Sequence, residues 1–102
     1  MLGLLKVTGD SLSPDYQEGD FVLLLKIPFF LNRLKRGDTV VFRQTYYGVM
    51  IKRVERRSQD GKQVYVLGTH AESADSRKFG PVQLEDLVGK VIWHIKRPRR
   101  GV

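Results

Sequence analysis

Short apolar runs alternate with polar turns along the whole chain. Gly-Asp or Asp-Gly pairs stand at the ends of several runs, where they favour tight turns. No segment keeps a helical period for three turns, although "LEDL" predicts a single helical turn. Val, Ile, Tyr and Phe, which are typical of strands, fill the runs: "LLKVTG", "FVLLLK", "TVVFRQ", "YYGVMIKRVE", "QVYVLG" and "VGKVIWHI".

This pattern predicts an all-β protein, built as one small domain of coiled antiparallel sheets or a partial barrel. A chain of 102 residues has enough length for one hydrophobic core but not for two domains. We expect the folded domain to span residues 1–95. Residues 96–102 form a basic C-terminal tail that begins "KRPRR".

The net charge of +7 is high for this length, and much of it lies in the tail and in "LNRLKR". Such charge attracts nucleic acid or anionic lipid without identifying either, and an ordinary solvated surface explains it equally well. The absence of cysteine excludes disulfides, thiolate zinc sites and thiol nucleophiles.

No transmembrane segment is predicted. The most apolar stretch, "FVLLLKIPFFL", is about half the roughly 20 residues that a spanning helix requires, and it contains Lys26 and Pro28. The start, "MLGLLKV", lacks the features of a signal peptide. We therefore expect a cytoplasmic or peripheral membrane location. For "IPFF" (residues 27–30), core packing is favoured over membrane contact.

Ser11, in "TGDSLSP", is either part of a surface turn or a nucleophile placed on a bend. A serine hydroxyl is a weak nucleophile until a neighbouring group removes its proton. His70 has Asp75 nearby in sequence, so a Ser11–His70–Asp75 triad is one hypothesis. His94 lies in the alternating run "VIWHI", where a structural histidine is the favoured interpretation.

Lys52 is the alternative base. Because strand side chains alternate, Lys52 shares a face with Met50 and Val54. Apolar neighbours disfavour the charged amine. To act near neutrality, the pKa of this lysine must fall by about 3 units from roughly 10.4, at a cost on the order of 4 kcal/mol. From the pattern alone, a strand lysine that reaches out to water is the more common case.

Four stretches together resemble the type I signal peptidases, serine–lysine proteases whose fold is shared with the self-cleaving domains of SOS-type repressors. "VTGDSLSPDYQEGDFVLL" resembles the nucleophile box of that family, and "RGDTVVF" resembles the strand that follows it. "VMIKRV" is similar to the segment with the general base. "LGTHAESADSRKFGPVQLEDLVGKV" is similar to the last box. The resemblance runs from about Lys6 to Val91, with the boxes in order.

The resemblance implies a role for each matching residue. Ser11 would be the nucleophile, Lys52 the general base, and Ser73 a hydroxyl that orients the lysine. The nucleophile box Gly9, Asp10, Ser11 would include an oxyanion-hole donor, the backbone N–H of Ser11. Asp75 and Arg77 would form a supporting ion pair. The resemblance implies neither a metal nor an organic cofactor.

The sequence also departs from the family pattern. Leu12 replaces the usual methionine, a volume-conserving exchange. Gly9 stands where some bacterial members carry a hydroxyl residue. "GTHAES" replaces the usual Gly-Asp-Asn run and is about one residue shorter, and Ser73 is its last residue. The resemblance covers neither the second β-domain nor the anchoring helices of many bacterial members.

The sequence therefore predicts a serine endopeptidase domain over residues 1–95, which removes an N-terminal signal or propeptide after small residues. Its partner would be an extended peptide segment of a precursor protein, with peripheral membrane contact as an option. Maturation of a soluble precursor, as proposed for nickel-type superoxide dismutase, is the alternative. A basic β-barrel that binds nucleic acid would explain the charge but leaves the spaced motifs as coincidence. Intact Ser11 and Lys52 argue against an inactive peptide-binding relative.

Overall fold

The computed structural model describes residues 2–7, 18–26, 34–68 and 74–96. These residues form one antiparallel seven-stranded sheet, and the all-β prediction is confirmed. The strands are β1 (Leu2–Lys6), β2 (Phe21–Lys26), β3 (Thr39–Gln44), β4 (Gly48–Arg57), β5 (Gln63–Leu67), β6 (Val82–Gln83) and β7 (Leu87–Ile95).

The strand order is β1-β2-β7-β3-β4-β5-β6, so the last strand of the chain inserts between β2 and β3. The neighbours β3, β4 and β5 are joined by short turns. At the β4–β5 turn, Gly61 has a φ of +73°, a conformation that glycine adopts without the steric penalty of a side chain. The sequence predicted this Asp60-Gly61 turn, but the central position of β7 depends on pairing between distant segments.

Helical structure in the described residues is limited to two short pieces. The turn predicted from "LEDL" is confirmed as a 3₁₀ helix, Leu84–Asp86. The other piece, α1 (Ser76–Phe79), was not predicted, because four residues are too few to show a helical period. Its N-cap is Asp75, whose carboxylate accepts a hydrogen bond from the backbone N–H of Arg77.

Hydrophobic cores lie on both faces of the sheet. Cluster 1 contains eight buried residues: Leu34, Val40, Phe42, Val54, Val64, Val66, Val82 and Leu87. Cluster 2 contains Val7, Val22, Leu24, Val41 and Ile51. Strand β3 belongs to both clusters, since successive side chains point to opposite faces, and its residues 39–42 are all buried.

Pairing across five strands defines one face. Leu2, Leu25, Lys90, Val40 and Lys52 are successive cross-strand partners in β1, β2, β7, β3 and β4. Directly paired residues of antiparallel strands point to the same side of a sheet. This is also the side of cluster 1, to which Val40 belongs.

Candidate active site

Strand β4 places Lys52 in the interior of the protein. Its cross-strand partner is Val40, and on its own strand it shares a face with Met50 and Val54, both of which contribute to cluster 1. The Lys52 side chain is 0% exposed, whereas the next residue, Arg53, is exposed on the opposite face. Lys52 is therefore not a strand lysine that reaches out to water.

The burial of Lys52 has a direct chemical consequence. Moving an ammonium group out of water disfavours its charged form far more than its neutral form. A neutral amine has a lone pair and can accept a proton, which an ammonium cannot do. The position of Lys52 therefore suits a general base, and structural roles alone rarely bring a lysine into such a position.

Asp75, like Lys52, is fully buried, and several hydrogen-bond donors surround its carboxylate. Its carboxylate accepts hydrogen bonds from the backbone N–H of Gly68 at 2.9 Å and of Arg77 at 3.0 Å. The Arg77 guanidinium also donates to it, with Nη2 2.6 Å from Oδ2. Gly68 directly follows Leu67, the last residue of β5, which pairs with Arg53 of β4.

The electrostatics of Asp75 follow from these contacts. Burial by itself raises the pKa of this carboxyl, but the hydrogen bonds from Arg77 and Gly68 outweigh burial and hold the pKa at about 2. In return, the hydrogen bond to Asp75 raises the pKa of Arg77. Asp75 is therefore a fixed negative charge that ties the loop before α1 to the end of β5.

Ser76 and Phe79 attach α1 to the rest of the fold. The Ser76 hydroxyl accepts a hydrogen bond from the backbone N–H of Val66 at 2.8 Å. Phe79 packs against cluster 1, with its ring 6.0 Å from that of Phe42. The segment from residue 74 to 79 thus covers the cluster 1 face of β3 and β5, next to the strand that carries Lys52.

The two ends of the segment that contains Ser11 are held together. The backbone N–H of Val7 donates to the carbonyl of Asp20 at 2.7 Å, and that of Gly19 donates to the carbonyl of Val7 at 2.9 Å. The described residues that flank positions 8–17 therefore lie next to each other beside β1 and β2.

Sequence reasoning missed a contact at this same point. Asp20, 1% exposed, has its Oδ2 2.7 Å from Nε2 of His94. The prediction of a structural role for His94 agrees with this contact, but its partner lies 74 positions away in sequence. The "EGD" motif indicated only a turn at Asp20, and no local signal could have joined the two residues.

Several predicted site residues lie outside the described residues: Gly9, Asp10, Ser11, His70 and Ser73. The contact of Ser11 with Lys52, the alternative contact with His70, and the orienting role of Ser73 stay predictions. "IPFF" at residues 27–30 and the end of the basic tail also lie outside this part of the chain.

The described residues contain no group of three or more histidine, aspartate or glutamate residues that could hold a metal ion. No helix in that part of the chain has both the length and the apolar character needed to cross a membrane.

Comparison with known proteins identifies the family. No curated protein matches the chain. The family model described as Peptidase S24-like matches residues 1–92, which include nearly all of the sheet and the segments that carry Ser11, Lys52 and Ser73. This family contains the type I signal peptidases and the self-cleaving domains of SOS-type repressors. The chain therefore belongs to the Peptidase S24-like family, whose members are serine peptidases and self-cleaving proteases.

Proposed function

We propose that this protein is a serine endopeptidase in which Ser11 is the nucleophile and Lys52 the general base. The observation that carries the proposal is the complete burial of Lys52 on the apolar face of β4. The backbone hydrogen bonds among Val7, Gly19 and Asp20 support this proposal, because they hold together the residues that flank the segment with Ser11.

The chemistry would begin with neutral Lys52. Its amine takes the proton of the Ser11 hydroxyl while Oγ attacks the scissile carbonyl. The resulting ammonium donates that proton to the leaving amine as the peptide bond breaks, which leaves an acyl-enzyme. Neutral Lys52 then activates a water molecule that hydrolyses the ester. The backbone N–H of Ser11 would help to stabilise the oxyanion in both steps.

The substrate in this proposal is an extended precursor segment with small side chains before the cleaved bond. Among the described strands, β1 has a neighbour only on the β2 side, and it leads directly into the segment with Ser11. An extended peptide can add a strand to such an edge through main-chain hydrogen bonds. A secretory signal peptide and the N-terminal extension of a soluble precursor both satisfy this geometry.

The test is cleavage of a peptide library, with the cut sites mapped by mass spectrometry. We expect the wild-type protein to cleave after small residues, and Ser11→Ala and Lys52→Ala each to be inactive. Lys62→Ala is the matched control, because Lys62 is an exposed lysine in the β4–β5 turn. Substantial cleavage by pure Lys52→Ala protein would refute the serine–lysine assignment. If His70→Ala were as inactive as Ser11→Ala, the histidine triad would replace it.

The pH dependence provides a second test. Only the neutral amine accepts a proton, so the cleavage rate should be low below neutrality and higher on the alkaline side. An acidic optimum, with activity that falls as the pH rises through the alkaline range, would contradict a lysine base.

The proposed role of Ser73 is to accept a hydrogen bond from the Lys52 amine and so point its lone pair at Ser11. Ser73→Ala should then lower kcat by about 10²-fold with little change in KM. Ser76→Ala is the control, because its hydroxyl accepts a hydrogen bond from Val66 and its loss should lower stability rather than kcat. A near wild-type kcat for Ser73→Ala would show that this serine only forms part of a turn.

A further inference from the structure

The pair of Asp20 and His94 has no part in the reaction as proposed, yet it lies at the end of the segment that contains Ser11. Oδ2 of Asp20 is 2.7 Å from Nε2 of His94, and the two side chains are 1% and 18% exposed. A carboxylate has only acceptors, so Nε2 carries the hydrogen and donates it. A buried carboxylate needs such a donor, because it has lost the hydrogen bonds that water would supply.

Asp20 joins the ends of three strands. It stands directly before β2, which begins at Phe21. Its backbone carbonyl accepts a hydrogen bond from Val7, the residue that follows β1. Its carboxylate reaches His94, the second-last residue of β7. The ends of β1, β2 and β7 are therefore held together through this one aspartate.

The pairing of β2 with β7 is irregular close to this point. Opposite the step from Leu23 to Leu24, β7 advances by two residues, so Ile92 is an extra residue. Between this bulge and the start of β2, three residue pairs remain. A shift of one residue there would turn each side chain to the opposite face. The hydrogen bond from His94 to Asp20 belongs to the observed register and therefore favours it over the shifted ones.

The pairing of β2 with β7 also connects the flanks of the Ser11 segment with the strand that carries Lys52. Strand β2 has β1 and β7 as neighbours, and β7 is joined to β4 through β3. The hydrogen bonds between Val7 and residues 19–20 attach the flanks of positions 8–17 to the start of β2. A change of register between β2 and β7 would therefore move these flanks relative to Lys52.

We propose that Asp20 and His94 are positioning residues of the peptidase: their hydrogen bond fixes the register of β2 on β7 and thereby places the nucleophile segment relative to the base. This inference rests on the proposed function, because it assigns the pair a role in the reaction of Ser11 with Lys52. A proton passes between those two groups, and a small displacement of reacting groups lowers the rate steeply. Both members of the pair act through the backbone rather than on the substrate.

Substitutions of His94 test this role. His94→Leu removes the donor and leaves an apolar side chain in its place. We expect kcat for a peptide substrate to fall by about tenfold or more, with little change in KM, because the misplacement is felt in the transition state. His94→Gln supplies a side-chain N–H to Asp20 again and should return kcat to within about threefold of the wild type. Asp20→Asn keeps an acceptor but loses the charge, and it should give a smaller change in the same direction as His94→Leu.

Val64→Ala is the control for a general loss of stability. Val64 is fully buried in cluster 1 on β5, away from the ends of β1, β2 and β7. Its truncation should lower the melting temperature without lowering kcat. All variants are assayed well below their melting temperatures, and circular dichroism checks that each one folds.

Hydrogen exchange followed by NMR gives a readout that needs no substrate. The amides of Val7 and Gly19 donate the hydrogen bonds between the two flanks, and the amide of Val54 donates a comparable bond on β4. We expect His94→Leu to raise exchange at Val7 and Gly19 relative to Val54 by about tenfold or more, and His94→Gln to restore the wild-type ratio. Val64→Ala should leave this ratio unchanged.

Two results would overturn the inference. One is wild-type exchange at Val7 and Gly19 in His94→Leu, which would show that the pair does not fix the register. The other is a kcat that falls no further in His94→Leu than in Val64→Ala, or that His94→Gln does not restore, which would leave the pair a purely structural role. Failure of the proposed function is distinguishable, because the wild type would then cleave no peptide. That result would refute the role of the pair in catalysis, while the exchange data would still decide whether it fixes the register.

Discussion

The same side of one sheet is an interior in one half of this protein and an exterior in the other. Over β3, β4 and β5 it is packed under Leu34, Phe79 and Leu84 and contains the buried Lys52. Over β1 and the adjoining parts of β2 and β7, apolar side chains such as Leu4 and Trp93 are mostly exposed, and we call this part of the sheet the open face. Both halves carry apolar side chains in the alternating pattern of strands.

The two halves differ in the segments that pack on the sheet rather than in the strands themselves. In the covered half, the segment at residues 74–79 is fixed by Asp75 and Ser76 and brings Phe79 onto cluster 1. On this same side of the sheet Lys52 is 0% exposed, and burial disfavours the charged form of its amine. The open face keeps its contact with solvent. Four predictions test this contrast, from the largest expected effect to the smallest.

Lys52→Met should abolish activity without unfolding the protein. Methionine is flexible and apolar, so it can occupy the space of the lysine stem without burying an amine. We expect a loss of about 10³-fold or more in kcat/KM. The melting temperature should be unchanged or higher, because burying a lysine costs free energy.

Lys62→Met, at an exposed turn position, is the control and should change neither quantity much. A clear fall in the melting temperature of Lys52→Met would show that this lysine stabilises the fold, and retained activity would exclude it as the base.

Phe42→Ala should cause the largest loss of stability in the covered half. Phe42 is fully buried in cluster 1 and contacts Phe79, so truncation leaves a cavity that the sheet cannot close. We expect the free energy of unfolding to fall by about 3–5 kcal/mol, as measured by urea denaturation. A loss below 1 kcal/mol, on the order of a surface substitution, would contradict the described packing.

Asp75→Asn should weaken the attachment of residues 74–79 to the sheet and change the pH dependence of stability. The folded-state pKa is held at about 2, below the ordinary value of 3.8. The stabilisation is therefore fully present above about pH 4 and is lost as the pH falls towards 2. At neutral pH we expect the variant to lose about 2 kcal/mol, because the charged hydrogen bonds to Arg77 and Gly68 are weakened.

The measurement for Asp75 is urea denaturation between about pH 2 and pH 7. The wild type should lose stability more steeply than Asp75→Asn as the solution becomes acidic. Asp86→Asn, at an exposed position of the 3₁₀ helix, is the control and should follow the wild-type curve. Parallel curves for wild type and Asp75→Asn would mean that Asp75 does not carry this stabilisation.

Trp93→Ser should have the smallest effect on folding, although it removes the largest side chain of the open face. Trp93 is 66% exposed, so its truncation should change the free energy of unfolding by about 0.5 kcal/mol or less. Urea denaturation followed by circular dichroism measures this without the tryptophan signal. A loss close to that of Phe42→Ala would show that the open face is part of the core.

Local sequence signals were sufficient for six of the seven described strands, for the turns and for the helical turn at "LEDL", but not for the two-residue strand β6. Alternation also predicted that Lys52 shares a face with Met50 and Val54, and the structure shows this arrangement. The residues from Lys6 to Val91 further resembled a peptidase family, and the match over residues 1–92 confirms that family. These features depend on near neighbours in sequence or on motifs within short segments.

Tertiary structure decided which apolar face became interior. The insertion of β7 between β2 and β3, the contact of Asp20 with His94, and the hydrogen bond from Gly68 to Asp75 all join segments that are separated in sequence or lie in irregular backbone. Alternation assigns a side chain to one of two faces, but burial depends on what packs above that face. For that reason the sequence predicted the face of Lys52, while only the tertiary packing on that face decided that Lys52 is completely buried.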